Sequence, residues 1–144
     1  LLLLALPFSS FSQKFVDPRD ANGYYKDGNY LAAMKGFKDL INSDPKVIEY
    51  HYKLGMCYLN SNVDKAQAVQ CFEWVVKQPK FDFEVWFELG RAYHYANKFT
   101  EAIKAFNKFK EHTTNAPDKI KADKEIEECN NGIQLTRYPL NVSF

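Results

Sequence analysis

Trp86-Phe87-Glu88-Leu89-Gly90-Arg91-Ala92-Tyr93, followed by Phe99, Ala102, Phe106 and Phe109, is the stretch on which the reading of this chain turns. Leu89 and Tyr93 stand four residues apart, one above the other on a single helical face. Gly90 beside them leaves that face without a side chain, so a partner helix can cross closely. After a tight turn at Asn97-Lys98, Ala102 supplies a small surface for the crossing and Phe106 fills the space one turn later. The predicted unit is a helical hairpin, not a pair of strands.

Working outward, the same marks recur. Leu54-Gly55-Met56-Cys57-Tyr58 leads to Ala68, Phe72, Val75 and Pro79; a weaker copy reads Ala21, Tyr24, Tyr30, Ala33, Phe37, Leu40 and Pro45. Tyr24, Tyr58 and Tyr93 are separated by 34 and 35 residues, Phe37, Phe72 and Phe106 by 35 and 34, and Pro45 and Pro79 by 34. A fixed period of this size is the mark of stacked repeats, each burying its neighbour's face. The pattern resembles the tetratricopeptide repeat, which sets Trp, Leu-Gly, Tyr, Ala, Phe, Ala and Pro at fixed positions. The resemblance implies an all-α fold, a right-handed superhelix of three hairpins over residues 14–47, 48–82 and 83–116, closed by a capping helix at 117–136. The chain departs from the pattern where Ala21 replaces the first glycine and where Leu40, Val75 and Phe109 replace the small residue of the second helix.

Boundary signals agree with this phase. Asp17-Pro18 and Asp44-Pro45 each read as a side-chain cap followed by proline at the first helical position. Asp64 and Gln67 are spaced like a capping box, and Gly28-Asn29 is the turn inside the first repeat. Beyond Pro117, an apolar stripe of Ile120, Ile126, Cys129 and Ile133 opposes Lys121, Asp123, Lys124, Glu127 and Asn131. That amphipathic helix is expected to cover the open apolar end of the last repeat.

With 46% hydrophobic and 26% charged residues and a formal net charge of +1, the chain offers no footprint for nucleic acid. Aromatic residues reach 16%, more than a small core requires, so some are expected to face outward. Leu1-Leu2-Leu3-Leu4-Ala5-Leu6-Pro7-Phe8, then Ser9-Ser10-Phe11-Ser12, reads as the remnant of a secretory signal cut after Ser12; a buried first helix is the alternative. No other stretch is apolar enough to cross a bilayer. Residues 137–144 read as a linker or the start of a following domain. Cys57, Cys71 and Cys129 form no C-x-x-C pair; free packed thiols are expected, with a Cys57–Cys71 bridge as the alternative.

First helices of stacked hairpins line the concave side. By phase, the outward positions there are Asn22, Tyr25 and Lys26; Tyr52, Met56, Leu59 and Asn60; and Phe87, Arg91, His94 and Tyr95. Aromatic anchors with Asn amides suit an extended or helical peptide; packing within the chain and a contact between copies are the alternatives. Some tetratricopeptide domains grip a terminal carboxylate with a Lys/Asn/Arg clamp. Here Pro18, Tyr52 and Phe87 occupy comparable positions, leaving only Asn22 and Arg91, which argues against such a clamp. His51, His94 and His112 are isolated, and no H-E-x-x-H, phosphate loop or nucleophile elbow occurs, so neither catalysis, a cofactor nor a metal is expected.

The end of the chain narrows the resemblance. Ile126-Glu127-Glu128-Cys129-Asn130-Asn131-Gly132-Ile133-Gln134-Leu135, then Tyr138-Pro139-Leu140-Asn141-Val142, is similar to a junction in exported Bacteroidetes proteins of the OmpA family. There a tetratricopeptide domain precedes a PD40-like propeller and a peptidoglycan-binding domain, one branch serving type IX secretion. The resemblance implies a periplasmic scaffold held at the outer membrane by domains outside these residues, with no peptidoglycan binding of its own and an envelope protein as partner. The alternative function is an accessory domain of a larger enzyme.

Overall fold

The computed structural model describes residues 17–137. The signal-like segment 1–12 lies outside them, as do residues 138–144 of the expected linker. Asp17 accepts a hydrogen bond from the Arg19 amide at 2.9 Å and Pro18 opens the first helix, as the Asp-Pro pair predicts. Seven α-helices follow: α1 (Pro18–Lys26), α2 (Tyr30–Ser43), α3 (Ile48–Asn60), α4 (Ala68–Val75), α5 (Val85–Tyr95), α6 (Phe99–His112) and α7 (Ala116–Arg137). They pair as three hairpins, α1–α2, α3–α4 and α5–α6, and α7 lies against α6.

The turns follow backbone chemistry. Gly28 takes φ of +73°, and the Asn29 side chain then caps α2 through the Ala32 amide at 3.3 Å. Asn97 takes φ of 56° at the equivalent turn of the third hairpin, a conformation asparagine tolerates better than most residues. Two expected starts are different. Asp44 caps the Lys46 amide in a turn, so Pro45 is not the first helical residue and α3 begins at Ile48. Asp64 likewise caps Ala66 in a 3-10 turn, Lys65–Gln67, with α4 starting at Ala68 rather than through a capping box.

The close crossings fall at the expected glycines, but the partner is a ring rather than an alanine. A Cβ at Gly55 would lie 2.7 Å from the ring of Phe72, and one at Gly90 would lie 2.5 Å from that of Phe106. Both phenyl groups are fully buried. The first hairpin solves the same problem from the other side, for Gly36 on α2 leaves room for the Ala21 methyl, 2.8 Å from where its own Cβ would stand. A fourth crossing sits under the cap, where Gly132 of α7 lies on the Phe99 ring.

The cap itself is re-registered from the predicted stripe. Ala122 and Cys129 are buried and Ile126 and Ile133 half-buried, whereas Ile120 is 69% exposed. Ala122, Ile126, Cys129 and Ile133 follow the i, i+4, i+7, i+11 spacing of one face, which Ile120 does not join.

Candidate functional site

First helices approach one another directly, α3 against α5 and α5 against α7, while no comparable contact joins α2 to α4 or α4 to α6. The stack therefore curves with its first helices on the inside, and the inner face is built from their repeating positions. One set of positions, Asn22, Met56 and Arg91, is half-buried and faces inward; a second, Lys26, Asn60 and Tyr95, is exposed, Tyr95 at 51%.

Two other sets pack against neighbouring helices. Tyr25, Leu59 and His94 fall on the seam between successive first helices. Leu59 is only 1% exposed inside the main apolar cluster, and Tyr25 sets its ring edge-on to Tyr30 and Phe37. His94 meets Phe99 and, across the seam, Glu125 of α7 at 3.8 Å. Tyr52 and Phe87 lie instead over the phenyl rings of their own second helices, with centroids 6.0 Å from Phe72 and 5.3 Å from Phe106. Phe87 is 4% exposed because α7 closes over it, the Lys121 ammonium standing 4.1 Å above its ring. Leu59 and Phe87 are thus corrected from contact positions to packing positions. Tyr52 is half-buried, and that burial pushes its hydroxyl up to about 12.

The face also carries charges that the sequence reading passed over. Lys53 donates to Glu49 Oε1 and to Asn22 Oδ1, each at 2.5 Å, and Arg91 pairs with Glu88 at 2.7 Å. Asn22 and Asn60 each donate back to the carbonyl four residues earlier, on Pro18 and Met56. The Glu49/Lys53 and Glu88/Arg91 spacings, four and three residues, are the signal that identifies these pairs. Lys53 and Arg91 each have a carboxylate partner, so the charge of this face is partly neutralised.

Among the described residues, no histidine hydrogen-bonds a hydroxyl or thiol. His51 bonds the Pro45 carbonyl and stacks on Trp74 at 3.8 Å, and His112 bonds the Lys108 carbonyl. All three thiols are free and buried, and burial raises Cys57 to about 12 and Cys71 and Cys129 to about 11, away from nucleophilic use. A cavity of about 480 Å³ opens on the other side of the stack between α4, α5 and α6, floored by Trp86, Leu89 and Tyr93. No described helix is long and apolar enough to cross a membrane.

Two family profiles, each described as tetratricopeptide repeat, match residues 49–80 and 83–115. No curated protein matches the sequence. The first tetratricopeptide domain of the human RPAP3 protein superposes with a TM-score of 0.66 at 18% identity, covering 83% of this chain and 91% of that one. The first such domain of Spaghetti (RPAP3), bound to the HSP90 peptide SRMEEVD, gives 0.65 at 20% identity over 83% and 97%. MamA gives 0.63 at 18% identity over 87% and 77%. These likenesses establish the fold as stacked helical hairpins, and the second and third of them, at residues 49–80 and 83–115, match the tetratricopeptide repeat.

Proposed function

We propose that this domain is a non-catalytic scaffold that receives an extended or helical segment of another protein along the inner face of α1, α3 and α5. The carrying observation is the division of the first helices into packed and unpacked positions. Leu59 and Phe87 hold the stack together, while Asn22, Lys26, Met56, Asn60, Arg91 and Tyr95 contribute side chains to a continuous inner face. A half-buried methionine and an exposed tyrosine give adaptable apolar contact, and the Asn22 and Asn60 amides, each donating one N–H to its own helix, keep a second N–H for a partner backbone. A relative of the same fold is described with a bound HSP90 peptide, which supports the polypeptide reading.

The local chemistry bears on the kind of segment. Glu49 and Glu88 already neutralise Lys53 and Arg91, so a strongly acidic tail gains less here than on an open basic groove. The favoured ligand is a neutral, mixed polar and apolar segment. The setting we propose is the periplasm, in an envelope complex tethered through neighbouring domains. It rests on the signal-like residues 1–12 and on the resemblance over 126–142.

Site-specific photo-crosslinking in cells tests the reading. A crosslinker at Asn60 or Tyr95 is expected to trap one discrete partner that a crosslinker at Lys77 or Lys104, on the opposite side, does not. The same partner trapped equally from both sides, or trapped only from Lys77 and Lys104, would refute the inner face as the site.

A further inference from the structure

The capping helix and the last hairpin bring together one imidazole and two carboxylates from separate parts of the chain. His94 lies on α5, and Glu125 and Glu128, three residues apart, lie on α7. One ligand-type atom of each lies within 4.8 Å of the other two, and His94 Nδ1 stands 3.8 Å from Glu125 Oε2. Two ligands at about 2.1 Å from a tetrahedral zinc ion are about 3.4 Å apart, so small side-chain rotations close the set around one ion. From this geometry we propose that His94, Glu125 and Glu128 form a binding site for a divalent transition-metal ion of the zinc type, joining α7 to α5.

The surroundings favour an ion over a simple pair of side chains. His94 and Glu125 are both half-buried, with side-chain exposures of 30% and 27%, so neither ligand is a freely solvated group. The imidazole is oriented by the edge of Phe99, 5.6 Å away, and Phe99 is in turn pinned under Gly132 of α7.

Three of the nearby cations are committed elsewhere. Lys121, one turn before Glu125, reaches over Phe87; Arg91 pairs with Glu88; and Lys98 stands over Tyr93. Among the described residues Glu128 has no ion-pair partner, so the site holds two carboxylates against one imidazole. A mixed nitrogen and oxygen set selects a borderline ion rather than calcium or magnesium, which take oxygen ligands. Three protein ligands leave a coordination position for water, and the bound ion acts as a staple across a seam otherwise held by apolar contact.

The test uses the whole chain, freed of metal by chelation and titrated with zinc by calorimetry and by thermal unfolding. Zinc is expected to bind at one site and raise the unfolding temperature, as any ligand specific for the folded state must. His94→Gln and Glu128→Gln are each expected to weaken binding about tenfold or more, at least as much as the loss of a group that only supports a ligand. Glu128 is exposed, so Glu128→Gln leaves the metal-free unfolding temperature unchanged and separates ligand loss from misfolding. His112→Gln, on the opposite end of α6, is expected to bind zinc normally. Cobalt substituted for zinc should show nitrogen and oxygen coordination without thiolate charge transfer. No stabilisation by zinc, undiminished binding by His94→Gln and Glu128→Gln, equal affinity for calcium, or thiolate absorption from cobalt would each overturn the site.

Discussion

The first hairpin and the last two meet the same packing demand with opposite assignments of the small residue. In the second and third hairpins the glycine is on the first helix, and the ring of Phe72 or Phe106 lies directly on it. In the first hairpin Ala21 occupies that position, and the glycine has moved to Gly36 on the second helix. Positions equivalent to Gly36 carry Cys71 and Ala105, which need no such gap because Gly55 and Gly90 already provide it. What recurs along the stack is therefore a close crossing within each hairpin, with the vacant Cβ free to sit on either helix.

This comparison predicts graded effects. Gly90→Ala is expected to be the most damaging of the glycine substitutions, because its methyl meets three atoms of a fully buried ring between 2.5 and 2.8 Å. Overpacking of this kind costs about 1–3 kcal/mol, and the helix-propensity gain of about 1 kcal/mol offsets only part. Denaturant unfolding should show a net loss of about 2 kcal/mol, with Gly55→Ala close behind. Gly36→Ala is expected to lose about 1–2 kcal/mol, since its methyl meets only one atom under 3.0 Å, the Ala21 Cβ, but that atom is fixed to the α1 backbone and no rotamer change relieves it.

The thiols sharpen the same comparison at the second hairpin. Cys57 and Cys71 stand where the first hairpin has Gly23 and Gly36 and the third has Ala92 and Ala105. Burial raises their folded values to about 12 and 11 from an ordinary value of 9.0. For an acid raised on folding, the stabilisation is complete below the unfolded value and disappears as pH rises through the folded one. Stability should accordingly decline above about pH 9, and Cys57→Ala with Cys71→Ala, the residues of the third hairpin, should reduce the slope of that decline. Chemical unfolding across pH 8–11 measures it.

The smallest effect is expected at Gly23. Nothing lies within 4 Å of a Cβ built there, so this helical glycine has no packing task. Gly23→Ala should stabilise the protein by about 0.5–1 kcal/mol through helix propensity and the entropy of the unfolded chain. A loss on this substitution would mean that α1 is crowded in a way the first hairpin does not show.

Most of the architecture was legible because period and glycine are properties of the chain alone. Gly55 and Gly90 located the crossings, and the 34- and 35-residue separations located the hairpins. The inner face was only partly legible, because an apolar residue on a first helix is ambiguous until the next helix is placed. Leu59 and Phe87 read as contact residues by phase, but the neighbouring hairpin and α7 cover them. Lys53, Glu49 and Glu88 went unread for the converse reason: their importance lies in pairing across and along helices. Ile120 drew attention by its bulk, whereas Ala122, whose small size lets α7 seat closely, was the true member of the stripe. The approach of His94 to Glu125 and Glu128 depends on how α7 lies on α5, which no local pattern encodes.

The exchange of the small residue between helices is tested most directly by a double-mutant cycle on Ala21→Gly and Gly36→Ala, followed by denaturant unfolding. Swapping both moves the vacancy back to the first helix, and the pair should be more stable than the sum of the single effects by about 1 kcal/mol. Losses that simply add, to within about 0.5 kcal/mol, would show that Ala21 and Gly36 do not share one crossing and would contradict the account.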